Sequence, residues 1–123
     1  MNIRKSSEDY LEQILMLSEQ KGAVRSIDIA AGLNVTKPSV SVAMKRLREN
    51  GYIHMDKDNM ITLTETGYGI ASNIYARHKM LTSFFQRLGV DEVTAREDAC
   101  KMEHDISQVS YEALVKFLKD RGI

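Results

Sequence analysis

A length of 123 residues allows one compact domain or two small ones sharing a core, and 43% hydrophobic with 28% charged residues is the make-up of a globular chain. One proline and 7% aromatic residues argue against a β-sandwich, and a formal net charge of zero gives no compositional sign of nucleic-acid binding. No apolar run approaches the roughly 20 residues that span a bilayer, Met1-Asn2-Ile3-Arg4-Lys5 is too short and polar for a signal peptide, and the single cysteine forms no internal disulfide, so a cytoplasmic protein with a reduced thiol is expected.

Along the chain, Ser6-Ser7-Glu8-Asp9 reads as a helix start, a hydroxyl cap followed by acids in the first turn. That helix carries Leu11, Ile14, Leu15 and Met16 towards Gly22. Ser26 caps a shorter helix through Leu33, and Asn34-Val35 is a tight turn. Thr36-Lys37-Pro38 opens a third helix, with proline in the first turn where its missing N–H costs little. Val40, Ala43, Met44 and Leu47 form its inward face, and Asn50-Gly51 ends it. Tyr52–Met55 and Met60–Leu63 read as two short strands joined at the tip Asp56-Lys57-Asp58-Asn59. Thr64 or Thr66 then caps a long helix to about Leu88, Asp91 to Asp105 forms another, and Ser107 caps a last one. The expected fold is mainly α, a winged helix-turn-helix over 1–63 and a helical half over 64–123.

The second helix of such a pair enters the major groove by its N-terminal end. Thr36, Lys37, Pro38, Ser39 and Ser41 occupy that end, Lys45, Arg46 and Arg48 follow, and Ser26 and Lys57 flank them on the preceding helix and the wing. Small hydroxyl side chains allow close approach, and the cations neutralise phosphate. Asp56 and Asp58 make the wing tip a poor phosphate clamp by itself. The cations alone would suit any solvated helix; the lengths of helix, turn and wing together favour DNA.

Cys100, Glu103 and His104 raise a second possibility. At about 100° per residue they fall within one arc of a helix, flanking an apolar stripe of Ala95, Ala99, Met102 and Ile106. A thiolate, a carboxylate and an imidazole so spaced can converge on one ion. Asp9 and Glu12 share a face of the first helix, and His78 lies in the long helix. Oxygen and imidazole donors suit Mn²⁺ and Fe²⁺, whereas thiolate tilts a site towards softer ions. Each residue also has a plainer role open to it: cysteine as a small hydrophobe, the acids as helix-start charges, His78 as a surface group. His54, beside the wing, has no ligand-spaced neighbour.

Four stretches carry a family resemblance: Glu8-Asp9-Tyr10-Leu11-Glu12-Gln13-Ile14, Val40-Ser41, Arg77-His78 and Asp98-Ala99-Cys100-Lys101-Met102-Glu103-His104. In these the sequence resembles the diphtheria toxin repressor family of metal-dependent transcriptional regulators, which includes the manganese transport regulators. The resemblance implies a homodimer whose metal-loaded form binds double-stranded operator DNA as a repressor of metal homeostasis genes. It implies Asp9, Glu12, His78, Cys100, Glu103 and His104 as ligands. Asp9 and Glu12 match the manganese-type members, Cys100 matches the iron-type members, and the other three match both. The implied cofactor is therefore Mn²⁺ or Fe²⁺, with Co²⁺, Zn²⁺ or Cd²⁺ as surrogates. Thr82 and Arg96 stand where iron-type members build a second, ancillary site, and Val42 stands where they place a recognition glutamine. The SH3-like domain of many iron-type members is expected to be absent.

Ile70, Ile74, Met80, Leu81, Phe84 and Phe85 are more apolar surface than one helix of a small monomer readily buries, so the dimer contact is expected there. The alternative is that Tyr111, Leu114, Val115 and Leu118 of the last helix cover them. Rival functions are a metal-independent winged-helix regulator, a protein-interaction module, and a small metalloenzyme or cysteine-nucleophile enzyme using Cys100 and His104. No Gly-rich oxyanion loop or deep-pocket pattern accompanies that pair, and the chain is not expected to be an enzyme.

Overall fold

The structure, a computed structural model, describes residues 5–122. Met1-Asn2-Ile3-Arg4 and Ile123 lie outside the described residues. The element order is α1 (Lys5–Lys21), α2 (Ser26–Leu33), α3 (Lys37–Glu49), β1 (Ile53–Met55), β2 (Ile61–Leu63), α4 (Glu65–Arg87), α5 (Glu92–Met102) and α6 (Gln108–Asp120). This is the expected mainly helical fold with a helix-turn-helix and a two-stranded wing. Among the described residues no helix is long and apolar enough to cross a membrane.

Two compact units divide the chain, Met1–Asn73 and Ile74–Ile123. The expected boundary at 63/64 marks the end of β2, whereas compactness puts the division inside α4. The first turns of α4 belong with the wing for local reasons. Thr64 Oγ1 donates to the Gly51 carbonyl (2.7 Å) and accepts from Gly67 N–H (3.1 Å), which makes Thr64 rather than Thr66 the cap. Gly67 is buried against the Tyr52 carbonyl so closely that a Cβ there would collide with the backbone. Removing the Thr64 hydroxyl with Thr64→Val is expected to cost about 1–2 kcal/mol, read as a lowered urea midpoint with an unchanged slope.

In the first unit, Leu11, Ile14, Val24, Ile29, Val40, Met44, Ile53 and Ile61 are essentially inaccessible and form the core. Burial of each is worth about 1.5–3 kcal/mol. Leu17 belongs to the inward face of α1, and Met16 is only half-buried. β1 and β2 pair antiparallel, with Ile53 opposite Leu63 and Met55 opposite Ile61. Ile61 N–H also donates to the Val24 carbonyl (2.8 Å), an added bridge that ties the wing back to the segment before α2. At the wing tip Asp56 Oδ1 accepts from the N–H groups of Asp58 (2.8 Å) and Met60 (3.0 Å), and Asn59 takes φ 62°.

Two expected caps move. Ser6 and Ser7 lie inside α1, which already includes Lys5. Ser26 is the first residue of α2 and does not cap it. Instead Asp28 reaches back to accept from the Arg25 N–H (2.9 Å), a carboxylate satisfying the orphan donor in place of the hydroxyl. Lys21, bonded to Asp28 at 2.6 Å, and this N–H hold the Asp28 carboxyl below its ordinary value. Thr36 does cap α3, accepting from Ser39 N–H (3.2 Å). Asn34 takes the left-handed conformation that ends α2.

In the second unit α4 ends at a positive-φ Gly89, and Asp91 caps α5 by accepting from Thr94 N–H (3.0 Å). That bond lowers the Asp91 pKa. Ser107 caps α6. Helix α5 stops at Met102, earlier than the periodicity predicts, so Glu103 is its C-cap and His104 lies in the following turn. Met102 is exposed, which removes it from the expected apolar stripe, while Ala95 and Ala99 are buried. Leu81 and Ile74 are already buried, so they are core and leave no surface for a partner. Phe84 and Phe85 are half-buried with ring centroids 5.9 Å apart, as is Ile70 in the first unit.

Candidate functional site

Three of the expected ligands meet in the second unit. Glu103 is 0% exposed, although the sequence places it at the edge of a buried face. His78, reaching from α4, sets Nδ1 2.9 Å from Glu103 Oε2. His104 sets Nε2 3.3 Å from Glu103 Oε1. One carboxylate thus lies between two imidazoles. Glu103 Oε1 has no hydrogen-bond partner among the described residues. Burying a carboxylate that is not fully hydrogen-bonded costs several kcal/mol, of order that of an isolated buried polar group or more. A divalent cation is a ligand that would offset this cost, and imidazole with carboxylate is the donor set expected for one. Cys100 stands exposed on α5, one turn before Glu103. These residues fit a metal.

The first unit holds the remaining two. Glu12 and Asp9 lie one turn apart on α1; Glu12 is 8% exposed and Asp9 half-buried. Glu12 is thus further removed from water than an ordinary helix-start charge, on a helix otherwise buried through Leu11, Ile14 and Leu15. Arg96 pairs with Glu92 at 3.0 Å.

The residues expected on DNA lie together in the first unit. Thr36, Lys37, Pro38, Ser39, Ser41, Lys45, Arg46 and Arg48 are all exposed, and Val40, Met44 and Leu47 point inward. Ser26 is half-buried at the start of α2, and Lys57 is exposed at the wing tip. An open cleft of about 470 Å³ separates the start of α1 from α3, lined by Ser6, Ser7, Tyr10, Pro38, Val42 and Arg46 among others. Val42, which the resemblance places at the recognition position, is 55% exposed and lies outward among these residues, although it is not one of the expected DNA-binding side chains. Arg77 was the other residue missed. It is buried, and its guanidinium binds the turn that carries Glu103 and His104.

Comparison with known proteins agrees with this geometry. Residues 2–61 match the iron dependent repressor N-terminal DNA binding domain, and residues 64–121 match the iron dependent repressor metal binding and dimerisation domain. The transcriptional regulator MntR of Salmonella typhimurium is 36% identical over 119 residues, covering 97% of this chain and 76% of the relative. The chain belongs to the iron-dependent repressor family. By that membership it is a metal-responsive, DNA-binding transcriptional repressor. An HTH-type transcriptional regulator of Methanocaldococcus jannaschii is 38% identical over 117 residues, covering 94% of each chain. Among solved structures, the manganese regulator SloR superposes with a TM-score of 0.81 at 33% identity, over 97% of this chain and 55% of that one. The metal-dependent transcriptional regulator MtsR gives a TM-score of 0.84 at 29% identity, over 92% of this chain and 53% of that one. The chain therefore spans about half the length of these solved relatives.

Proposed function

We propose that the chain is a homodimeric repressor that binds operator DNA when loaded with Mn²⁺ or Fe²⁺ and so controls metal homeostasis genes. The observation that carries this reading is the buried Glu103 carboxylate held between His78 and His104 with one oxygen lacking a hydrogen bond. Glu103, His78 and His104 would hold the ion, Cys100 would add a thiolate, and Asp9 and Glu12 would complete the set from α1. When bound, the ion would supply positive charge that offsets the buried Glu103 carboxylate. The manganese-regulating relatives support Mn²⁺, and Cys100 supports a softer ion of the Fe²⁺ type.

Residues 1–63 would read DNA and 64–123 would hold metal and partner. Ser26, Thr36, Lys37, Pro38, Ser39, Ser41, Lys45, Arg46 and Lys57 form the proposed DNA surface. Lys37, Lys45, Arg46 and Lys57 are exposed cations of the helix-turn-helix and wing in a chain with no net charge, available to neutralise phosphate. Two copies must present their α3 helices at a fixed spacing to match a two-fold operator. Phe84 and Phe85 of α4 and the half-exposed Phe117 of α6 would be among the apolar groups that such a dimer covers. Metal acts as an effector only by binding the DNA-competent arrangement more tightly than the others.

Anaerobic Co²⁺ titration followed by absorbance tests the centre. Saturable binding with a thiolate-to-cobalt charge-transfer band is expected, and Cys100→Ser should remove the band and weaken binding. Binding without the band in the unaltered protein would take Cys100 out of the set. No binding, or equal operator affinity with and without metal, would return the chain to a metal-independent regulator.

A further inference from the structure

Arg77 immediately precedes His78 on α4 and is only 6% exposed. A guanidinium there keeps its charge and needs acceptors in a fixed fork. Nη1 donates to the carbonyl oxygens of Glu103 (3.0 Å) and Ile106 (2.5 Å), and Nη2 donates to Gln108 Oε1 (2.7 Å). The same group lies 5.1 Å from the centroid of the Tyr111 ring. None of these partners is a carboxylate, so among the described residues Arg77 forms no salt bridge.

The carbonyls it takes belong to the end of α5 and the turn that follows. A helix end leaves orphan carbonyls, usually closed by a glycine in the left-handed region. No glycine lies between Gly89 and Gly122, so the α5 end has none available. Charge-assisted bonds from a distant arginine do that work here, and they are stronger than neutral ones. The turn so fastened presents Glu103 and His104. Adjacent residues of α4 therefore hold Glu103 twice, Arg77 by its carbonyl and His78 by its carboxylate. Gln108 extends the lock into α6, its Nε2 donating to Glu112 Oε1 (3.1 Å).

We propose that Arg77 is the positioning residue of the metal centre, fixing the 103–106 turn so that Glu103 and His104 meet the ion in one geometry. Metal affinity and coordination geometry then depend on a side chain that does not touch the ion. This rests on the metal-centre reading above. Lysine, a point charge without a fork, would not replace it.

The test compares the unaltered protein with Arg77→Met, Arg77→Lys and Gln108→Ala. Three readouts are used: Co²⁺ affinity, the cobalt ligand-field bands, and hydrogen exchange of the Asp105 and Ile106 amides, both bonded to the Met102 carbonyl. Arg77→Met should lower Co²⁺ affinity at least tenfold, shift the bands and speed exchange at those amides. Arg77→Lys should not restore them, and Gln108→Ala, on an exposed residue, should shift all three in the same direction by about threefold in affinity. Should Arg77→Met fail to fold, Gln108→Ala decides. A folded variant with unaltered affinity and bands overturns the positioning role while leaving the metal centre standing. Absence of Co²⁺ binding in the unaltered protein overturns both.

Discussion

Glu103→Gln is expected to abolish metal-dependent operator binding while leaving the apo protein folded and no less stable. Glutamine has the shape of glutamate and keeps one carbonyl oxygen for an imidazole N–H, so the packing around position 103 survives. What disappears is the negative charge and a carboxylate oxygen able to bind a cation. Loss of a metal ligand exceeds the roughly 10–100-fold cost of losing an outer-shell partner, so Mn²⁺ or Co²⁺ affinity should fall at least about hundredfold. Apo stability should hold or rise, because a neutral amide is cheaper to bury than a carboxylate. Calorimetric metal titration, operator binding with added metal and thermal melting of the apo protein check the three parts. Retained metal affinity would sink the proposed centre. A large fall in apo melting temperature would instead make Glu103 a structural anion held by His78 and His104.

Much of this was legible in the sequence because it is local. The Thr36 cap with Pro38 behind it, the Asp56–Asn59 tip and the inward face Val40, Met44 and Leu47 all depend on neighbours a few residues apart. The misses share a different cause. Nothing between Met102 and Ser107 breaks a helix, so periodicity carries α5 through Asp105. The helix stops where Arg77 captures carbonyls 26 and 29 positions away, which no local pattern reveals. The full burial of Glu103 was equally hidden, since charge alone argues for the surface. Ile74 and Leu81 were misassigned for the converse reason: an apolar stripe looks the same whether a partner or its own chain covers it. The grouping of Glu103 with His104 was legible from their adjacency, whereas His78, 25 positions away, reaches the same carboxylate only through the fold.

Val42→Glu is expected to lower operator affinity at least about hundredfold without changing metal affinity. At about 100° per residue, Val42 lies roughly opposite Val40, Met44 and Leu47, and so at the centre of the outward face of α3. Pro38, Lys45 and Arg46 flank it there. If this face enters the major groove, a carboxylate at its centre meets phosphate charge from both sides and pairs with Lys45 and Arg46 beside it, taking those cations from the phosphates. Val42→Ala should behave differently. It removes only apolar contact, and the apolar group that the major groove offers is the thymine methyl. Its loss should therefore be about 1 kcal/mol, confined to operators with thymine at one position. Arg46→Ala gives the third pattern, weakening all sequences alike and reducing the salt slope by about one. Anisotropy titrations of the three variants over several operators and salt concentrations separate these outcomes. Unaltered binding by Val42→Glu would mean that α3 does not insert this face. A sequence-dependent loss in Val42→Ala would make Val42 a reader of bases, at the position where iron-type members of the resembled family use glutamine.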